Sequence, residues 1–251
     1  MGSIPHLLAD GLNIRTNAQV EEINVLDSGV EMAWCGQEGS EGRRKQFREK
    51  VDAVLCTLPL GVLKHSLDHP ESPTAVRFKP QLPPAKLEAI RNLGFGVLNK
   101  VAMTFEKIFW DPNIHAYGHI NQEKGHRGEL YLFWNQEAGE GSGSLVGLVA
   151  GESAEWAEKI PDNIIVGRAL KVLNDIFGSN IPIPKDTVVT RWRSDPWSRG
   201  STAYLAKNAS EKDIVALAEP VHCSNGSGGL FFAGEATARH HIGTLQAHIP
   251  F

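Results

Sequence analysis

The stretch Leu93–Pro112, LGFGVLNKVAMTFEKIFWDP, decides the architecture. From Leu98 to Phe105 the residues alternate: Val101, Met103 and Phe105 share one face, and Lys100, Ala102 and Thr104 the other. That period of two predicts a strand with one packed face. Just before it, Gly94-Phe95-Gly96 admits a turn that lets the backbone approach a neighbour closely. Earlier still, Pro84 opens a short predicted helix with Leu87, Ile90 and Leu93 at helical spacing and Gly94 past its end. A helix, a glycine turn and a half-buried strand in succession point to a mixed α/β chain.

Working outward, Val51–Gly61 is a mostly apolar run that predicts a strand buried on both faces. His65–Pro84 holds five prolines and is expected to be an irregular connection. Towards the N-terminus, Ile23 and Val25, then Val30, Met32 and Trp34, alternate around Asp27-Ser28-Gly29 and predict a β-hairpin. Gln37–Lys50 is charged and dotted with glycine, so an exposed loop is expected. Downstream, strands are predicted at 130–134, 145–150 and 187–193. A helix opens at Asp162 and runs through Ile165, Ala169, Leu173 and Ile176 to Gly178. A second opens at Ser210 with Asp213 as its box partner. Gly229–Glu235, GLFFAGE, reads as an apolar strand ending in a carboxylate.

Composition narrows the classes. The chain has 251 residues, a net charge of −4 and three scattered cysteines, Cys35, Cys56 and Cys223. The mild negative charge offers no footprint for nucleic acid. No apolar stretch approaches the ~20 residues of a membrane span, and the N-terminal residues carry no signal-peptide pattern. The cysteines lack metal-ligand spacing, and His240-His241 are neighbours whose side chains diverge, so no metal site is expected. GxGxxG, the P-loop, HExxH and GxSxG are absent.

Four features bear on chemistry. Lys100 on its strand alone reads as a charge in water; buried beside a ligand, after the Gly94-Phe95-Gly96 turn, it would be a proton carrier or water-holder of lowered pKa. Trp192 and Trp197, with Pro196 between them and Gly200-Ser201 following, describe a rigid turn. Such a turn either anchors on the core or walls a flat ring. Glu235 ends a buried strand, where it would accept from a sugar hydroxyl or cap a following helix. Thr57-Leu58-Pro59 ends another such strand. Trp134 and Tyr204 read as core or rim aromatics by pattern alone.

Six blocks then coincide in order: DAVLCTLPLGVLK (52–64), LGFGVLNKVAMTFEKIFWDP (93–112), RGELYLFWN (127–135), LVAGE (148–152), VVTRWRSDPWSRGS (188–201) and FFAGEAT (231–237). Together they resemble the flavin-containing amine oxidases, most of all the lysine-specific histone demethylases. The resemblance implies FAD as cofactor. It matches Lys100 to the lysine that holds a water against the flavin, and Trp192, Trp197 and Ser201 to the isoalloxazine wall. It matches Val20, Thr57, Leu58, Pro59, Glu235, Thr244 and Leu245 to further cofactor contacts. Trp134 matches a substrate-channel aromatic. Thr202 stands where the family has a tyrosine of the amine cage, and Tyr204, on the same face of an extended chain, would replace it.

The resemblance also implies a fold and an activity. An α/β arrangement is expected, with 1–96 and 211–251 as parts of an FAD-binding domain and 97–210 as a substrate domain. The implied reaction is oxidative demethylation of a histone tail peptide carrying mono- or dimethyl-lysine. The implied setting is the nucleus, with a corepressor complex as partner of the full-length family member. The family's dinucleotide fingerprint would precede Met1, so the alternatives are a non-catalytic fragment or isoform that cannot hold FAD, and a polyamine oxidase.

Overall fold

A computed structural model of the chain describes residues 3–38, 43–122, 124–137, 143–239 and 242–243. After a short helix α1 (Ser3–Ala9), strands β1 (Gln19–Val25) and β2 (Val30–Glu38) form the predicted hairpin, Val25 opposite Val30. Its turn closes through Leu26 N–H donating to the Gly29 carbonyl, and Gly29 takes φ +78°. β3 (Arg43–Val51) then pairs antiparallel with β2 along its whole length. The expected loop at 37–50 is therefore largely strand. Its pattern was hidden because the inner partner is one aromatic, Phe47, stacked on Trp34 at 4.3 Å, amid cations on an edge strand.

β4 (Ala53–Cys56) is shorter than the apolar run predicts, and Leu55 is 58% exposed, so the strand is not buried on both faces. The rest of that run turns at Pro59 into α2 (Leu60–Asp68), which buries Leu60, Val62 and Leu63. The expected irregular connection then contains β5 (Arg77–Lys79), parallel to β1. α3 (Pro84–Asn92) begins on its proline as predicted. Gly94-Phe95-Gly96 is itself a short strand, β6 (Gly94–Gly96).

β7 (Leu98–Phe105) matches its prediction and lies inside a five-stranded sheet. The other members are β8 (Ala116–Gly118), β9 (Glu129–Glu137), β10 (Gly143–Ala150) and, across the helices α4 (Gly151–Ala157) and α5 (Asp162–Phe177), β11 (Asp186–Val189). The order is β11-β7-β10-β9-β8. β11 stops at Val189, four residues short of expectation, because the chain leaves the sheet at Thr190. α5 buries Ile165, Ala169 and Leu173 on one stripe and ends at Gly178, φ +93°.

β12 (Thr202–Tyr204) pairs with β6. α6 (Glu211–Ala218) carries the predicted capping box between Ser210 and Asp213. β13 (Val221–His222) and β14 (Gly229–Phe232) follow, and β14 runs parallel to β4. β14 ends at Phe232, and Glu235 opens a 3-10 turn through Thr237.

Two hydrophobic cores result. One joins Ile23, Val54, Leu63, Ile90, Ile214 and Leu230; the other joins Val101, Met103, Phe105, Phe133, Leu145 and Leu173. In the first, Lys86 of α3 is 2% exposed. Its ammonium donates to the Ala216, Leu217 and Glu219 carbonyls at 2.9, 2.6 and 2.6 Å and lies 4.1 Å from the Phe232 ring centre. It thus ties α3 to the C-terminal end of α6, whose carbonyls lack helical partners.

Two predictions follow from this packing. Phe133 is fully buried and its neighbour Trp134 is 39% exposed. In urea unfolding Phe133→Ala is expected to lose about 3–5 kcal/mol and Trp134→Ala less than about 1 kcal/mol; equal losses would refute the register of β9. Burial pushes Lys86 from 10.5 down to about 8. The unfolded chain therefore binds the extra proton between those values. Stability relative to Lys86→Met is expected to rise with pH across that window, by about 1.4 kcal/mol per unit. A flat difference between pH-resolved unfolding curves would contradict it.

Candidate functional site

β4 and β14 run parallel, and both carboxyl ends open onto a cavity of about 260 Å³. Such ends carry ligand sites in α/β sheets because the chain diverges there and exposes backbone groups. Thr57, Leu58 and Pro59 leave β4 along one wall, and Ala233, Gly234 and Glu235 leave β14 along another. Lys100 enters from β7, and Trp192, Gly200 and Ser201 come from the turn after β11. Phe95 of β6 and Phe232 complete an aromatic and aliphatic lining.

The turn is held by its own polar groups. Asp195 accepts the Trp197 N–H at 2.9 Å and the Ser198 hydroxyl at 3.0 Å. Arg193 reaches Glu155 of α4 at 2.9 Å and the Arg199 carbonyl at 3.0 Å. Arg199 adopts φ +57° and Gly200 φ +144°. A Cβ on Gly200 would fall 2.5 Å from the Phe95 ring, so glycine is needed there for conformation and for space. The Ser201 hydroxyl accepts the Leu98 N–H at 2.7 Å, and the Ser201 N–H donates to the Gly96 carbonyl, joining the turn to the start of β7.

The cavity presents donors that lack partners. Burial lowers the pKa of Lys100, and among the described residues its ammonium has no ion pair. The Trp192 indole N–H is buried without an acceptor. A Cβ on Gly234, φ +122°, would meet nothing within 4 Å. An unpaired cation, an unpaired N–H and open backbone beside aromatic walls suit a flat heteroaromatic with acceptor atoms at its edge. A flavin ring fits that description.

Of the expected site residues, Thr57, Leu58, Pro59, Lys100, Trp192, Ser201 and Glu235 therefore meet at one cavity. Trp197 does not line it. It is 54% exposed and borders a separate groove of about 410 Å³ with Asn17, Gln19, Gln37 and Arg44. Val20 is half-buried against the first core. Glu235 does not cap its helical turn; its carboxylate accepts the Thr202 hydroxyl at 2.8 Å and the Ala203 N–H at 3.0 Å. Tyr204 lays its ring over Gly94, where a Cβ would approach it to 2.4 Å. Trp134 sits across β10 from β7, paired through Val146 to Ala102, on the sheet face of Lys100. Thr244 and Leu245 lie outside the described residues.

Sequence reasoning missed Phe95, Asn99 and Glu158. Asn99 carried a signal, being the one polar residue on the inward face of β7. Glu158, between two helices, carried none.

Residues 1–247 match the family of flavin containing amine oxidoreductases. A possible lysine-specific histone demethylase 1 of Drosophila melanogaster is 44% identical over 97% of this chain and 28% of its own length. Protein FLOWERING LOCUS D of Arabidopsis thaliana is 40% identical over 98% of this chain and 29% of its own length. Among solved structures, a putrescine oxidase double mutant superposes with a TM-score of 0.72 at 18% identity, covering 96% of this chain and 47% of that one. That likeness concerns the fold. The chain thus spans less than a third of the length of these curated relatives. It belongs to the flavin containing amine oxidoreductase family.

Proposed function

We propose that the chain forms part of an FAD-dependent histone lysine demethylase, which oxidises the N-methyl group of mono- or dimethyl-lysine and releases formaldehyde and hydrogen peroxide. The observation that carries this reading is Lys100 beside Trp192 in a cavity at the ends of two parallel strands. The 44% identity to a possible demethylase supports the substrate class. A methylated histone tail as substrate, a corepressor complex as partner and a nuclear location belong to the same reading. The two cores support an FAD-binding part in 1–96 and 211–251 and a substrate domain in 97–210, although Ala203 packs with the first core.

In this reading the walls from Thr57 to Pro59, Trp192 and Ser201 hold the flavin ring, with Val20, Trp197, Thr244 and Leu245 carried over as cofactor contacts from the family likeness alone. The chemistry FAD supplies when bound is acceptance of a hydride from the methyl carbon and return of the electrons to oxygen. Lys100 holds a water and its proton at Nζ. Its positive charge disfavours a second ammonium nearby, so the reacting amine binds neutral with its lone pair free. Glu235 keeps acceptor capacity beyond Thr202 and Ala203 for a sugar hydroxyl. Trp134, Thr202 and Tyr204 belong to the substrate side.

The cavity volume favours a second reading. At about 260 Å³ it lies below the range of roughly 300–1,000 Å³ for small-molecule sites, so the chain alone would admit a ring but not retain a whole dinucleotide. Visible absorption during titration with FAD separates the two. Stable flavin bands after gel filtration support the first reading, and a colourless protein supports the second. On the flavin-loaded protein, Lys100→Met is expected to cut turnover of a dimethyl-lysine peptide by about 10²–10⁴. Unchanged turnover would remove Lys100 from the reaction, and preference for a polyamine over the peptide would replace the substrate.

A further inference from the structure

We infer that Asn99 and Glu158 form a clamp that positions Trp192 in the cavity that Lys100 also lines, a role that deepens the proposed flavin site and rests on that reading. Asn99 is 1% exposed and points to the face of β7 opposite Lys100. Its Oδ1 accepts the Trp192 N–H at 3.1 Å and the Thr190 hydroxyl at 3.1 Å. Its Nδ2 donates to Glu158 Oε1 at 2.7 Å. Thr190 closes the circuit on Lys100: its hydroxyl accepts the Lys100 N–H at 2.8 Å, and its own N–H donates to the Lys100 carbonyl at 3.0 Å.

Glu158, just past α4, gathers the next part of the turn. Its carboxylate also accepts the Arg193 N–H at 3.1 Å, the Ser194 N–H at 3.0 Å and the Ser194 hydroxyl at 2.6 Å. Burial alone would raise its pKa, yet the hydrogen bonds from Asn99, Ser194 and Arg193 outweigh burial and hold it below the ordinary value. An ionised acceptor makes each of these bonds stronger than a neutral one. Position 99 needs an acceptor for the turn and a donor for the carboxylate, and an amide provides both. With the Trp192 backbone fixed by this pair, its indole N–H remains unpaired at the cavity. Asn99 and Glu158 touch neither the cavity nor a reacting atom; they are positioning residues.

Donor and acceptor exchange tests the clamp. Asn99→Asp sets two carboxylates against each other, whereas Asn99→Asp combined with Glu158→Gln restores a donor facing an acceptor. Acrylamide quenching of Trp192, taken as the difference between each protein and its Trp192→Phe counterpart, reads the turn without any cofactor. Asn99→Asp is expected to raise that quenching severalfold, and the double variant to bring it back towards wild type. Wild-type quenching in folded Asn99→Asp, or no recovery in the folded double variant, would overturn the proposal. If circular dichroism shows Asn99→Asp unfolded, Glu158→Gln alone decides, an intermediate rise supporting the clamp and no rise overturning it. FAD uptake by the same proteins separates this inference from the functional one. Wild type that takes up no FAD while the quenching pattern holds counts against the flavin reading and keeps the clamp.

Discussion

The pleat of β7 is the constraint from which the site follows. Successive side chains on a strand face opposite ways, so Asn99, Val101, Met103 and Phe105 enter the core while Lys100, Ala102 and Thr104 do not. β10 and β11 pair with it on either side, fixing Lys100 opposite Leu148 and Val189 opposite Val101. A slip by one residue would expose three fully buried side chains, each worth roughly 1.5–3 kcal/mol, and would put Lys100 in the apolar core. Placement of the cavity's cation is therefore a by-product of core packing by its neighbours on the strand, Val101, Met103 and Phe105. A strand suits this task because its partners on both sides leave it no freedom to drift.

The turn after β11 solves a different problem: it must leave a sheet, carry two tryptophans and return to β6 within a dozen residues. No regular element supplies its hydrogen bonds, so side chains from elsewhere do. Asp195 works within the turn, while Asn99, Glu155 and Glu158 work from outside. Phe95 fits between Gly61 and Gly200, each of which would bring a Cβ within 2.7 Å of its ring. Close packing on two glycines and anchoring by carboxylates make the turn rigid where a loop would ordinarily move.

Legibility from sequence tracked how far each element's stability is local. β7, α3, α5 and α6 were readable because period, proline start and capping box are written in adjacent residues. β3 and β5 were not, since an edge strand of cations and a three-residue strand gain their pairing from β2 and β1 and show no alternation of their own. α2 hid inside an apolar run that a strand explains equally well. At the site, Lys100, Trp192 and Glu235 were identified by likeness to a family, yet their meeting at one cavity depends on parallel pairing between segments more than 170 residues apart. Trp197 shows the converse: two tryptophans in one turn do not share one wall, because the turn at Asp195 sends the second outward to Arg44 and Gln19.

The unpaired donors bind these observations together. A buried N–H without an acceptor costs free energy, and the acceptors of the neighbouring elements are engaged elsewhere. Glu235, a lining residue of the cavity, bonds Thr202 and Ala203; Glu158 and Asn99 bond backbone on the far side of β7. The Asn99 and Glu158 acceptors are thus turned to the structure, and the cavity keeps the Lys100 ammonium and the Trp192 indole N–H unpaired. Such a site favours a ligand rich in acceptors and able to take up negative charge, which is what a reducible ring becomes on receiving a hydride. That preference arises from one arrangement: the Lys100 ammonium and the Trp192 indole N–H stay unpaired at the cavity while Asn99 and Glu158 are engaged in holding its walls.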